Sequence, residues 1–432
     1  MRLVALAITF ATASAALAAP PCSSAGSGWC LARRFSGNVP NGELGFRFGE
    51  PLDVDGDGRA DIAAGARWKL KDEVFQNGVA TVWSGATGAK IREWDGLLEG
   101  GMFGHSVLPI PDLDGDGLAD VVIAAPSAKS SGALHGVLSA SSPKSGEVLW
   151  SKVAKRRESL GWDLALAGDQ DGDGKTDIFA GAPAESGGRV YLLSGKDGSV
   201  LRMYEPEAPR WTFGWYVART DDFDADGHPD LAVAAFLGEA PADTLGAVFL
   251  LSANTGALLR RWDSTESLSA FGEVVAGVGD LDGDGRGEIA VSAAWSADTE
   301  RRRPGEVRIF SGVTGGELRR WTGKQPGEYF GRMLTSAGDV DGDGTGDVAI
   351  GAPWHKEGDA DKTGRVELRS GKTGEVLADW LGDGAECWFG WNIRRAPDPE
   401  GKGRPALLIG SLRHPVDGQA GVGVIDLYVL RR

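Results

Sequence analysis

The sequence predicts an all-β protein: a seven-bladed β-propeller of four-stranded antiparallel blades, closed by an N-terminal strand that completes the seventh blade. Three observations carry this prediction. One unit recurs seven times at intervals of roughly 53 to 59 residues, hydrophobic patterning within it has period two, and 66 Gly with 20 Pro make a fifth of the 432 residues turn formers. With 42% apolar residues and 15 Trp, a structureless chain is excluded. A formal charge of −16, from 45 basic and 61 acidic residues, excludes a nucleic-acid binder that must neutralise phosphates.

Residues 1–19 read as a signal peptide. Met1-Arg2 is a short positive start, Leu3 to Leu17 is apolar and uncharged, and Ala16, Ala18 and Ala19 supply the small residues of a cleavage site. That run is too short to span a bilayer comfortably, and nothing later reaches the length of a membrane helix. The expected location is secreted, periplasmic or extracellular, with no membrane span. Ala19-Pro20-Pro21 ahead of Cys22 does not fit a lipid anchor. In an oxidising compartment Cys22, Cys30 and Cys387 cannot all pair internally. Cys22 with Cys30 is the first pairing to expect, and Cys30 with Cys387 is its rival.

Residues 20–47 hold Leu31 to Gly37, which looks like a stray fourth strand placed to complete the last unit, because that unit stops at its third strand, Val424 to Leu430. Closing the ring in this way removes open sheet edges. Residues 48–432 are seven repeats, opening at Phe48-Gly49, Phe103-Gly104, Leu160-Gly161, Phe213-Gly214, Phe271-Gly272, Phe330-Gly331 and Phe389-Gly390. In each, one strand follows Phe-Gly, a second follows an acidic loop, and a third precedes a Ser-Gly-x-Thr-Gly hairpin turn. A fourth ends in Trp. Trp94, Trp150, Trp262, Trp321 and Trp380 share that last position and are assigned to packing between blades.

The acidic loops carry the strongest chemistry. Six units hold Asp-x-Asp-x-Asp-Gly-x-x-Asp or its Glu-ending variant. The residues are Asp53, Asp55, Asp57 and Asp61; Asp112, Asp114, Asp116 and Asp120; Asp169, Asp171, Asp173 and Asp177. The series continues with Asp222, Asp224, Asp226 and Asp230; Asp280, Asp282, Asp284 and Glu288; Asp339, Asp341, Asp343 and Asp347. Four carboxylates in nine residues repel one another unless a cation holds them, and hard oxygen donors in that number suit Ca2+. About six structural calcium ions are expected. The six loops hold 24 of the 61 acids, leaving 37 against 45 bases, so six divalent ions would bring −16 to −4. An EF-hand would need Glu at position twelve, where these loops have Ala64, Ile123, Ala180, Val233, Val291 or Ile350. The seventh loop, Asp398 to Gly403, has Lys402 in place of the third carboxylate and Ala406 at position nine. No calcium is expected there, with Lys402 as an internal counter-ion to Asp398 and Glu400.

Phe-Gly, the aspartate loop and Gly-Ala-Pro at Gly181-Ala182-Pro183 and Gly351-Ala352-Pro353 together resemble the FG-GAP repeat of integrin α-subunit propellers and related bacterial secreted proteins. The resemblance covers roughly residues 30 to 432. It implies calcium loops on one face of a seven-bladed propeller and ligand contacts on the other. It does not imply a receptor role, since no leg, transmembrane or cytoplasmic segment is recognised after the propeller.

No catalytic set stands out. His105, His135, His228, His355 and His414 are scattered, and no Gly-x-Ser-x-Gly elbow occurs. Trp162, Trp215 and Trp391 follow the Phe-Gly position, while Trp68, Trp295 and Trp354 follow the Gly-Ala-Pro position. Both groups should reach the rim opposite the acidic loops, with Arg67, His105, Arg332, His355, Arg413 and His414 as polar neighbours. Ordinary rim packing and ligand recognition both fit that placement. The leading function class is a non-enzymatic binding or adhesion module for an extracellular protein or glycan. The alternative is an extracellular hydrolase or polysaccharide lyase with its active site on the same rim.

Overall fold

In the computed structural model, residues 28–431 are described apart from 72–73, 97–99, 131–132, 156, 185–186, 208–211, 237–245, 267–268 and 297–302. The expected signal peptide, residues 1–19, therefore lies outside the described residues. Seven antiparallel blades follow one another along the chain, and no helix occurs among the described residues. Blade 6 shows the plan: Met333–Gly338, Asp347–Ala352, Arg365–Arg369 and Val376–Leu381, paired in that order. Blade 1 keeps three regular strands, Ile62–Ala66, Val79–Trp83 and Lys90–Asp95. Its innermost segment is reduced to isolated pairs, Leu44 with Ala66 and Leu52 with Asp61.

Burial explains the sequence pattern strand by strand. Second strands such as Asp120–Ala125 are buried on both faces by neighbouring blades, so they read as continuous apolar runs. Fourth strands lie outermost and alternate: in Leu258–Asp263 only Trp262 is buried. These tryptophans do bridge blades, as their repeat position suggests. The Trp150 indole N–H donates to the Gly195 carbonyl at 2.8 Å and that of Trp262 to Gly315 at 2.9 Å, each in the turn of the next blade.

The ring closes as expected. Trp29–Ser36 pairs antiparallel with Val424–Leu430, so blade 7 is assembled from both ends of the described chain. Phe35, 2% exposed, and Trp29, edge-on to Trp380 with centroids 5.3 Å apart, anchor that strand. Cys30 is disulfide-bonded and Cys387 is free and buried, which removes the Cys30–Cys387 pairing. Cys22 lies outside the described residues.

One opening dipeptide differs from the sequence reading. Gly104, Gly161, Gly214, Gly272, Gly331 and Gly390 all have φ between 79° and 89°. In blade 1 the glycine with this conformation is Gly45, at φ 86°, and not Gly49. Its N–H donates to Gly65 O, as Gly104 donates to Ala124 O and Gly331 to Gly351 O. The first copy therefore opens at Leu44-Gly45-Phe46, a spacing of about 59 residues from Phe103, the same as between the last copies. Phe48-Gly49 matches the motif by letter only.

Because first strands run from Phe-Gly to the acidic loop, all acidic loops emerge on one face, with the Ser-Gly turns beside them. Phe-Gly and Gly-Ala-Pro segments share the other. The innermost strands surround an axial cavity of about 700 Å³ that residues from all seven blades line, among them Glu50, Leu108, Leu164, Val217, Val275, Leu334 and Arg394.

Candidate metal centres and the aromatic face

Each acidic loop is a chain of side-chain-to-backbone turns. In blade 1 the Asp53 carboxylate accepts from Gly56 and Gly58 N–H at 2.7 and 2.9 Å, Asp55 accepts from Asp57 N–H at 3.1 Å, and Asp57 accepts from Arg59 N–H at 2.8 Å. The other five loops repeat the bonds to position one. Glycine at positions four and six permits the curl, with Gly56 at φ 82° and Gly58 at φ 78°.

The acid at position nine sits deepest, and Asp61, Asp177, Asp230, Glu288 and Asp347 are fully buried. It joins two turns: the Asp177 carboxylate accepts from Gln170 N–H at 2.7 Å and from Gly195 N–H, in the Ser-Gly turn, at 3.0 Å. Desolvation pushes Asp61, Asp120, Asp177 and Asp230 up to about 6 and Glu288 to about 7, with the neighbouring loop carboxylates adding. Asp120 Oδ1 and Glu288 Oε1 are buried with no hydrogen-bond partner among the described residues.

These residues fit a hard divalent cation. One oxygen each from Asp112, Asp114 and Asp120 lies within 4.8 Å of the others, and likewise for Asp169, Asp171 and Asp177 and for Asp222, Asp224 and Asp230. In blade 1 the set is Asp53, Asp55 and Asp57. Buried, mutually repelling carboxylates with orphaned oxygens are the environment a bound cation relieves.

The seventh loop keeps the fold and changes the charge. Asp398, 6% exposed, still accepts loop backbone N–H groups, but from Glu400 and Lys402 at 2.9 and 3.1 Å, positions three and five, and not from positions four and six as Asp53 does. Its counter-ion, however, is Arg404 at position seven, whose guanidinium donates to both Asp398 oxygens at 2.7 and 2.8 Å. Lys402 pairs with Glu400 at 2.7 Å and reaches Asp398 only through its backbone. The expected internal counter-ion exists, but it is mainly Arg404, because a planar guanidinium matches both carboxylate oxygens and an ammonium does not.

On the opposite face, the residue after each Phe-Gly glycine contributes to an array of aromatic and charged side chains. In blade order these are Phe46, His105, Trp162, Trp215, Glu273, Arg332 and Trp391. Ring centroids are 4.8 Å apart for Phe46 and His105, 4.6 Å for His105 and Trp162, and 4.5 Å for Trp162 and Trp215. Arg332 lies 3.7 Å from Glu273 and over Trp391 at 4.1 Å, and Trp391 meets Phe46 at 5.9 Å. From Trp391 the aromatic surface runs outward through Trp388, Trp354 and Trp295 at 5.2, 6.2 and 5.4 Å. Arg67 stacks over Phe46 at 3.5 Å and Arg413 over Trp388 at 5.1 Å.

Both tryptophan groups thus share a face, as the sequence suggests, and are joined by Phe46, Glu273 and Trp388, which the motif reading missed. Trp68 lies under Arg67, with the guanidinium 5.4 Å from its ring centroid. Burial and the charges of Arg67 and Arg47 hold His105 well below the usual histidine range, so it is neutral at physiological pH. His355 and His414 lie further out, contacting Glu328 at 2.6 Å and Asp383 at 3.0 Å.

Comparison with known proteins agrees with this geometry. Models of the FG-GAP repeat match residues 103–137 and 334–366, and a model of an FG-GAP-like repeat matches 169–233. The chain carries FG-GAP repeats. It is similar to integrin alpha-V of Gallus gallus, with 31% identity over 210 residues, 45% of this chain and 20% of the relative. It is also similar to integrin alpha-4 of Xenopus laevis, with 33% identity over 191 residues, 41% of this chain and 18% of the relative. The chain thus spans about a fifth of the length of these relatives. At the level of fold, the FG-GAP chain resembles one in the crystal structure of BBS1N in complex with ARL6DN, with a TM-score of 0.54 and 12% identity over 94% of this chain and 98% of that one.

Proposed function

We propose that this FG-GAP protein is an exported, calcium-stabilised binding module that holds an extracellular protein or glycan on its aromatic face. The observation that carries the reading is the array of half-buried tryptophans, Trp162 and Trp215 on one side and Trp391, Trp388, Trp354 and Trp295 on the other, packed on the buried rings of His105 and Phe46 and flanked by Arg67, Arg332 and Arg413. Half-buried rings beside guanidinium groups suit a sugar face or a protein hot spot. The integrin resemblance supports the same division of faces.

In this reading the six acidic loops hold Ca2+ through their carboxylates and stabilise the blades. The metal supplies charge neutralisation, and the backbone bonds to position one and position nine pre-set the loop.

A glycan array combined with a polysaccharide-degradation screen tests the module. Retention without product release is expected, and release of products would favour the hydrolase or lyase alternative. Trp388→Ala and Trp391→Ala should lower retention at least tenfold with an unchanged melting temperature. Unchanged retention in both variants would reject the aromatic face as the binding surface.

A further inference from the structure

The corner between blades 6 and 7 on the aromatic face differs chemically from its equivalent one blade earlier. In blade 6, Glu328 accepts from the Lys324 backbone N–H and lies 2.6 Å from His355 Nδ1. Residues about 59 positions on occupy the same places in blade 7, where Cys387 replaces Glu328, His414 replaces His355 and Asp383 replaces Lys324. A carboxylate–imidazole corner has become a thiol, an imidazole and a carboxylate.

We propose that Asp383, Cys387 and His414 form a site for a borderline-soft divalent transition cation such as Zn2+ or Co2+. One donor atom from each lies within 4.8 Å of the other two. His414 Nε2 is 3.0 Å from Asp383 Oδ1, and its Nδ1 is buried with no hydrogen-bond partner among the described residues. Among the described residues the Cys387 sulfur has one hydrogen-bond contact, to the Ala385 carbonyl at 3.7 Å. Sulfur, nitrogen and oxygen donors in one cluster select zinc-like ions over calcium, which favours oxygen alone.

Charge agrees with this assignment. Arg34 donates to both oxygens of buried Asp426, at 2.7 and 2.8 Å, and sits 2.9 Å from Asp383. Those three groups carry one net negative charge, and a Cys387 thiolate makes two, which a divalent ion balances. Capture breaks the S–H bond, sends the proton to solvent and forms a metal–sulfur bond, with nothing oxidised. Access runs past Asp383, whose side chain is 52% exposed, to His414 at 16%. Cys387 is only 1% exposed, and burial pushes its thiol up to about 11, so without metal it is not a substrate-facing nucleophile.

The calcium-loaded full-length protein, titrated with Co2+, tests the site. A thiolate-to-cobalt charge-transfer band should appear in the near ultraviolet, saturate at one ion per chain and bleach on adding Zn2+. Cobalt in the all-oxygen loops gives no such band, so the result stands apart from the calcium reading. Cys387→Ser should abolish the band, while His414→Gln and Asp383→Asn should weaken binding at least about tenfold. Asp383→Asn changes an exposed side chain and keeps the test valid if the buried cysteine variant does not fold. Absence of the band in the wild type, its persistence in Cys387→Ser, or wild-type cobalt affinity in both Asp383→Asn and His414→Gln would overturn the proposal.

Discussion

Position four of every acidic loop needs a left-handed backbone, and six of the seven copies supply Gly there; blade 4 has Ala225 at φ 61°. A Cβ in that region costs about 1 kcal/mol or more. Ala225→Gly should therefore raise stability by up to about 1 kcal/mol, offset in part by added freedom in the unfolded chain, as read by denaturant unfolding. Arg404 offers a test of the opposite sign. Arg404→Ala leaves the buried Asp398 carboxylate without its cation and should cost about 1–3 kcal/mol at neutral pH. The guanidinium holds Asp398 well below the usual carboxylate range, so its contribution is full above about pH 4 and lost as pH falls through the lowered value. Wild type and variant should therefore converge only in strong acid. Arg404 is a residue that motif reading overlooks, because the loop pattern is defined at positions one, three, five, six and nine, and the replacement cation arrives from position seven.

Among elements, the acidic hairpin is the one most legible in sequence, since carboxylate spacing and glycine placement are both dictated by the curl of the loop. What spacing cannot reveal is that position nine is a buried strap between two turns. Asp177→Asn would face a backbone N–H with an amide N–H, and should lower the melting temperature even after chelation. Calcium should also act more strongly in base than in acid. Without metal, the raised carboxyls of Asp61, Asp120, Asp177, Asp230 and Glu288 favour the protonated folded form, so stability is lost as pH rises from about 4 toward 6 to 7. Bound cation reverses that loss. The calcium-induced rise in melting temperature should therefore be larger at pH 8 than at pH 5, and an equal rise at both would count against ion binding at position nine. Strand-level reading succeeded where burial on two faces makes apolar runs and failed in blade 1, where Phe48-Gly49 imitates the motif and the even spacing to Leu44-Gly45 is the better guide.

For the whole molecule, seven repeats and a stray N-terminal strand suffice to give the ring, because a sheet with missing partners at both chain ends has one economical way to pair them. The aromatic face is less legible: its continuity depends on which rings neighbour across blades, Phe46 takes its place only once the first copy opens at Leu44-Gly45, Glu273 is not aromatic, and Trp388 enters from the position before Phe-Gly. Phe35→Ala should cost about 3–5 kcal/mol, read by thermal melting, because it cuts a fully buried anchor of the closing strand. The blade stitched from the two chain ends is also the one whose acidic loop carries its own guanidinium. Its clasp thus needs no divalent cation. If the other six loops hold the proposed calcium, a chelator that removes it should let their hairpins exchange amide hydrogens faster while the seam stays shut, so the starved protein loosens as a hoop and not as an opened ribbon.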